Sequence, residues 1–366
     1  MRLYELLDPN LLKDHEDNRR VSSQRHPTLP IRIYNYTHLA QFDPHWGDGT
    51  IDWCRGLIVD DDYNIVSLPF RKFHNLNTPS ISETMFENLP RAPYSATEKL
   101  DGSLGIFYDD GCGGAIATRG SFTSPQAIFA TKWFKENIWN FDRIWTPDET
   151  PLFEIIYPEN RIVVDYKNWG GLVAIGMMNK NTGAELPWPF VKERFSSVMR
   201  CAHDWSGTAL HNLINLQRPN EEGFVVTFST GLKVKIKMEE YKRLHRIVTG
   251  MNPHTVWESL RVGKELPSEG LPANFKKWLT SWQLKLESEF TELYWEAKHV
   301  YMDRPVYDGI DPRSYRAAFA AYIKREAKPK IHGILFAMLD GKDVTPYIWD
   351  LLEPRGDDKS FRTEGE

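Results

Sequence analysis

The 366 residues carry 45 Lys and Arg against 50 Asp and Glu, a formal charge of −5, with 41% hydrophobic and 26% charged residues. This balance excludes global disorder and a protein that coats nucleic acid through bulk positive charge, and the length suits one large or two ordinary domains. No apolar run approaches the roughly 20 residues of a membrane helix, and the start MRLYELLDPN lacks a secretion-signal pattern. Three cysteines without a CxxC pair suit a reducing cytoplasm, of a host cell if the protein is viral. HExxH, EF-hand and GxxxxGK[ST] motifs are all missing, so zinc-protease, calcium-sensor and phosphate-loop readings have no anchor.

Short β-rich runs bounded by turn residues predict strands at 57–59, 94–98, 104–108, 115–118, 152–157, 161–165, 172–177, 223–228 and 232–237. Among them, 124–139 predicts a helix with Ser124 as cap, Pro125 in the first turn and Ile128, Phe129, Trp133 and Phe134 on its apolar face. Near residue 250 a Pro- and Gly-punctuated connection precedes segments of helical periodicity, at 274–301, from Asp311-Pro312 to about 327, at 331–339 and at 344–352. The expected domains are therefore 1–249, mixed α and β, and 250–353, helical, followed by a polar tail at 354–366.

Glu98-Lys99-Leu100-Asp101-Gly102-Ser103 lies between two predicted strands, so an amine stands at a strand-to-turn junction beside exposed backbone N–H groups. In isolation an Asp-Gly hairpin preceded by a solvated lysine explains it as well. Around it, in order, come RIYNY at 32–36, Cys54-Arg55-Gly56, Lys72-Phe73-His74-Asn75, Arg119-Gly120-Ser121 with Gln126-Ala127, Phe153-Glu154, Asn160-Arg161-Ile162-Val163, Glu222-Gly223 and Lys233-Val234-Lys235-Ile236-Lys237 with Tyr241. This set resembles the covalent nucleotidyltransferase superfamily of ATP-dependent ligases and capping enzymes, and within it the phage-type ATP-dependent RNA ligase 1 family, over residues 31–245.

The resemblance implies an α+β fold, a nucleotidyltransferase domain of antiparallel sheets with flanking helices followed by an all-helical carboxyl-terminal domain. It implies that Lys99 attacks the α-phosphorus of ATP and that AMP then passes to an RNA 5′-phosphate, which a 3′-hydroxyl attacks. Lys235 and Lys237, two apart on a strand and so on one face, would hold the α-phosphate. Arg55, Lys72 and Arg119 would contact the β- and γ-phosphates. Gly102, Glu154, Glu222, Gly223 and Tyr241 would line the nucleotide, and Asp101, Glu154 and Glu222 would hold Mg²⁺, or Mn²⁺, through water. Where the family carries Lys at the Arg119 position and an aromatic at His74, this chain keeps the charge in the first case and loses a simple stacking ring in the second.

A lysine near its ordinary pKa of about 10.4 is protonated and cannot attack, so the pKa of Lys99 is expected to be lowered by Lys235, Lys237 and a hydrated cation. The competing readings are a DNA ligase or GTP-dependent capping enzyme, either of which would append a β-rich OB-fold, and a non-catalytic RNA-binding relic. In the helical part, Arg313, Arg316, Lys324, Arg325, Lys328 and Lys330 oppose only Glu326, which suits an RNA backbone or a solvated helix face. The expected partner is RNA with 5′-phosphate and 3′-hydroxyl ends, tRNA among the candidates, with no membrane and no obligate protein partner.

Overall fold

The computed structural model describes residues 1–42, 49–138, 144–306, 309–355 and 361. By contacts the chain divides into two units, residues 1–245 and 246–362. In the first unit β1 (Val21–Arg25), β2 (Ile31–Tyr36), β3 (Arg55–Asp60) and β4 (Ile65–Ser67) form an antiparallel sheet in sequence order. The inward positions of this sheet, among them Ile33, Leu57 and Ile58, bury a core with Leu3 and Leu68. β5 (His74–Asn75) and β6 (Tyr94–Lys99) belong to a second sheet. Next come β7 (Ser103–Tyr108), β8 (Ala115–Ala117), β9 (Glu149–Ile156), β10 (Gly171–Asn179) and β11 (Arg200–Cys201), a third sheet in the order β11-β10-β9-β7-β8. Finally β12 (Gly223–Phe228) and β13 (Lys233–Lys237) complete the second sheet as β5-β13-β12-β6. The third sheet packs Phe153, Leu172 and Met177 against Phe134 and Phe195 of flanking helices.

Two expectations need correction. The segment 161–165 is not a strand: the N–H groups of Val163 and Val164 both donate to Asp101 Oδ2, at 2.8 Å each. Consecutive amides of a strand point to opposite sides, so two that converge on one oxygen cannot belong to a ladder. The helix Pro125–Asn137 does start at Ser124, whose hydroxyl accepts from Ala127 N at 3.2 Å. Its inward face, however, is Gln126, Ala127, Ala130 and Phe134, while Ile128 is 60% exposed; Trp139 lies outside the described residues.

The second unit contains helices Pro253–Arg261, Ala273–Met302, Pro312–Glu326, His332–Leu339 and Thr345–Leu351, and no strand among the described residues. Asn252 caps the first with a reciprocal Thr255 bond, and Asp311 caps the third by accepting from Arg313 N and Ser314 N. Leu293, Phe319, Ile323, Leu335 and Ile348 form its core, and Trp257 Nε1 donates to Trp349 O at 2.8 Å. Of the polar tail, 356–360 and 362–366 lie outside the described residues; Phe361 packs edge-on against Phe275.

Candidate active site

The register of the second sheet assembles the centre. Gly223 of β12 sits opposite Lys99 on β6 and opposite Lys237 on β13, so both lysines flank the residue that follows Glu222. Glu222, only 3% exposed, bridges them: Lys99 Nζ lies 2.8 Å from Oε2 and Lys237 Nζ 3.0 Å from Oε1. Gly223 is obligatory there, since its φ is +149° and a Cβ would fall 1.9 Å from Ile236 O. On Lys99, burial disfavours the ammonium, but the carboxylates of Glu222, Glu154 and Asp101 outweigh it and hold the pKa above the ordinary lysine value. This reverses the expectation that neighbouring cations lower it. Lys237 is itself spent on Glu222, and the nearest charges to Lys99 are negative. For Glu222, burial raises the pKa, but the two lysines overcome it and keep the carboxylate ionised.

Asp101 begins the turn after Lys99 and is engaged on every side. Its Oδ2 accepts from Val163 N and Val164 N, its Oδ1 accepts from the Tyr241 hydroxyl at 2.8 Å, and its own N–H donates to Tyr166 Oη at 2.7 Å. Burial drives the Tyr241 and Tyr166 phenols upward, so both remain protonated. Gly102 completes the turn where a Cβ would come 2.5 Å from Ile155 O. Behind it Asn160 joins Ser103 Oγ at 3.0 Å in a partly buried contact and Gln126 Nε2 at 3.2 Å in a buried one, which ties the turn to the flanking helix.

Glu154, on β9 opposite Leu104 of β7, is the exception among the carboxylates. No ion pair or hydrogen bond engages it among the described residues. Burial first, and then Glu222 and Asp101, push it up to about 7 despite Lys99.

A second group gathers positive charge around two aromatic rings. Arg55 opens β3, and its neighbour Tyr36 ends β2. Arg119 lies 5.3 Å and Lys72 5.0 Å from the Tyr36 ring centroid, and Arg55 hydrogen-bonds Tyr36. Lys235 Nζ lies 4.6 Å from the Phe73 ring. Among the described residues Arg55, Arg119 and Lys235 form no ion pair. Burial, helped by Arg55, Lys99 and Lys237, lowers Lys235 to about 6. Burial also takes Lys72 to about 8, with Arg55 and Arg119 adding to the fall and Asp52 opposing it. Cations held together at that cost have the charge and hydrogen-bond donors that suit an anion with several charges.

The RNA ligase family model matches residues 53–241, which span every one of these groups except Tyr36. The chain belongs to the RNA ligase family. Solved structures to which it is similar include an archaeal ATP-dependent RNA ligase (14% identity, 92% of this chain and 81% of that one, TM-score 0.48). Others are an Aquifex aeolicus protein described as an ATP-dependent DNA ligase (16%, 92% and 88%, 0.46) and a mutant Naegleria gruberi RNA ligase with ATP and Mn (15%, 44% and 53%, 0.34). No curated protein matches the sequence.

In this RNA ligase the structure brings Lys99, Asp101, Glu154, Glu222, Lys237 and Tyr241 into one buried electrostatic group, with Lys235 and Arg55 bordering it. Among the described residues no group of three His, Cys, Asp or Glu is placed to hold a metal ion. Tyr36 and Tyr166 were not singled out from the sequence; the terminal aromatic of RIYNY was the available signal for Tyr36, whereas nothing local marks Tyr166. Lys233 stands apart from the pocket, paired with Glu185. In the helical unit Arg316 pairs with Asp340, Arg325 with Glu326 and Lys328 with Glu296, so half of the basic stretch is already neutralised. No helix among the described residues is long and apolar enough to cross a membrane.

Proposed function

We propose that this RNA ligase joins RNA 5′-phosphate and 3′-hydroxyl ends with ATP, through an adenylate on Lys99. The observation that supports it is a largely buried, carboxylate-flanked lysine beside Arg55, Arg119 and Lys235, which form no ion pair among the described residues. Lys99 loses its proton, its nitrogen bonds to the α-phosphorus, and the bond to the β-phosphate oxygen breaks, releasing pyrophosphate. Lys235 is suited to the charge that grows on the α-phosphate, and Arg55, Lys72 and Arg119 to the departing pyrophosphate. The RNA 5′-phosphate then displaces Lys99, and a 3′-hydroxyl displaces AMP to leave a phosphodiester.

A divalent cation such as Mg²⁺ or Mn²⁺ fits this site in one way. Glu154 is a hard oxygen donor without an ion-pair or hydrogen-bond partner among the described residues, whereas the oxygens of Asp101 and Glu222 are occupied, so a largely hydrated ion held by Glu154 suits the donor set. When bound there it would supply positive charge that disfavours the Lys99 ammonium. Helices with no strand among the described residues after 245, where a DNA ligase or capping enzyme would carry an OB-fold, favour RNA as substrate, a cleaved tRNA included. Three free cysteines suit a reducing compartment, the cytoplasm.

Incubation with labelled ATP and Mg²⁺ should label the wild type and leave Lys99→Ala unlabelled. Equal labelling would remove Lys99 from the mechanism, and preferential labelling by GTP would move the chain to the capping enzymes. Side-by-side joining of single-stranded RNA, nicked RNA and nicked DNA then fixes the acceptor.

A further inference from the structure

β13 carries a third lysine on the same face as Lys235 and Lys237, and the reaction above does not use it. Lys233 has a side chain only 9% exposed, with Nζ 2.7 Å from both carboxylate oxygens of Glu185. The same Nζ lies 3.6 Å from the Phe70 ring centroid and 5.2 Å from that of Phe73. The two rings meet edge to face at 6.2 Å. Phe70 is seated against β10 at Gly176, where a Cβ would fall 2.4 Å from the ring. Because β10 belongs to the third sheet and β13 to the second, Glu185, Lys233 and Phe70 lock the segment leading to Phe73 between two sheets.

The ring of Phe73 also meets Lys235 Nζ at 4.6 Å and Arg55 Cζ at 5.9 Å. Three cations from two strands, β3 and β13, therefore share one aromatic ring, and among the described residues only Lys233 of the three forms an ion pair with a carboxylate. Arg55 and Lys235 repel each other and are desolvated. The negative face of a fixed ring is the one nearby feature that attracts both without neutralising either. A carboxylate would do so more strongly, but it would also repel the incoming phosphates.

We propose that Phe73 is a positioning residue whose ring, clamped by the Glu185–Lys233–Phe70 contact, holds Arg55 and Lys235 together as a receptor for a polyphosphate. The identity of that polyphosphate as the pyrophosphate portion of ATP rests on the function proposed above; the device itself requires only an anionic ligand.

The test is calorimetric binding of pyrophosphate to the full chain, measured beside the rate of enzyme-adenylate formation. Phe73→Leu, which keeps apolar bulk and removes the quadrupole, should weaken pyrophosphate and slow labelling by about tenfold, with thermal unfolding close to wild type. Phe73→Tyr should restore both to within about twofold. The double variant Glu185→Gln/Lys233→Met removes the clamp without stranding a buried charge and should weaken pyrophosphate in the same direction. Wild-type affinity in Phe73→Leu, equal loss in Phe73→Tyr, or no pyrophosphate binding by the wild type would overturn the proposal. Pyrophosphate binding that depends on Phe73 in a protein that never labels from ATP would instead fault the lysyl-adenylate reading and leave the receptor standing.

Discussion

The two ends of the site handle charge in opposite ways. Around Lys99, each cation meets a carboxylate: Glu222 bridges Lys99 and Lys237, with Glu154 and Asp101 close by. Around Phe73 and Tyr36, Arg55, Arg119 and Lys235 are held by ring faces and hydrogen bonds, and among the described residues none of the three forms an ion pair with a carboxylate. The first arrangement favours the charged form of Lys99. The second stores unfavourable desolvation that only an anion relieves. Under the proposed reaction, binding energy gained at the second end would be spent on disturbing the first, so that a lysine resting as an ammonium could act as the nucleophile once its substrate is present.

The contrast breaks most severely if the bridging carboxylate is removed. Glu222→Ala leaves two buried ammonium groups facing each other, so unfolding free energy should fall by about 3–5 kcal/mol in urea titration. Adenylate formation should drop at least about a thousandfold, since both orientation and charge balance at Lys99 are lost. If Glu222→Ala labels like wild type, the carboxylate-compensated end has no role in the reaction.

A smaller effect probes the other end. In the free protein Lys235 titrates near 6 and Lys72 near 8, both depressed first by burial. A bound polyphosphate favours their charged forms, so binding takes up protons. Affinity should then rise as pH falls, above about 8 through both lysines and from about 8 toward 6 through Lys235, by up to about tenfold per unit for each proton taken up, and level off below 6. ATP binding to Lys99→Ala, followed by calorimetry, isolates this from the chemistry. Lys235→Met supplies the control for titration of the nucleotide itself and should flatten the profile; an identical slope in both proteins would show that Lys235 is already charged when free.

Much of this was legible in the chain because the residues that carry it are strung along strands. Lys99, Glu222 and Lys237 converge through the register of three neighbouring strands, and a register of alternating residues can be anticipated from sequence. What escaped was decided by tertiary contacts. Segment 161–165 is β-rich in composition yet folds as a loop, because Asp101, sixty residues earlier, takes its N–H groups. Ile128 faces outward because Gln126, a polar residue, is required inside to reach Asn160. The strands β1, β4, β5 and β11 are short or polar and exist only because longer neighbours offer edges. Most consequentially, motif spacing shows which charges gather but not which pair. Lys237 was expected to lower the pKa of Lys99, and its commitment to Glu222 is visible only in three dimensions.

The pairing of Asp101 with Tyr241 offers the mildest test of the contrast. The Tyr241 phenol donates to Asp101 Oδ1 while two backbone amides hold Oδ2, so Asp101 keeps two of its three hydrogen bonds when that hydroxyl is deleted. Tyr241→Phe should therefore cost about 1–2 kcal/mol, a slowing of labelling by roughly tenfold with little change in unfolding temperature. Lys237 Nζ lies 5.0 Å from the Tyr241 ring, an interaction that Phe preserves. A Tyr241→Leu variant removes both and should fall further, and the gap between the two variants measures the ring's share. If Tyr241→Phe and Tyr241→Leu lose equally, the hydroxyl carries the whole effect, and aromatic support of cations is confined to the end of the site that lacks carboxylates.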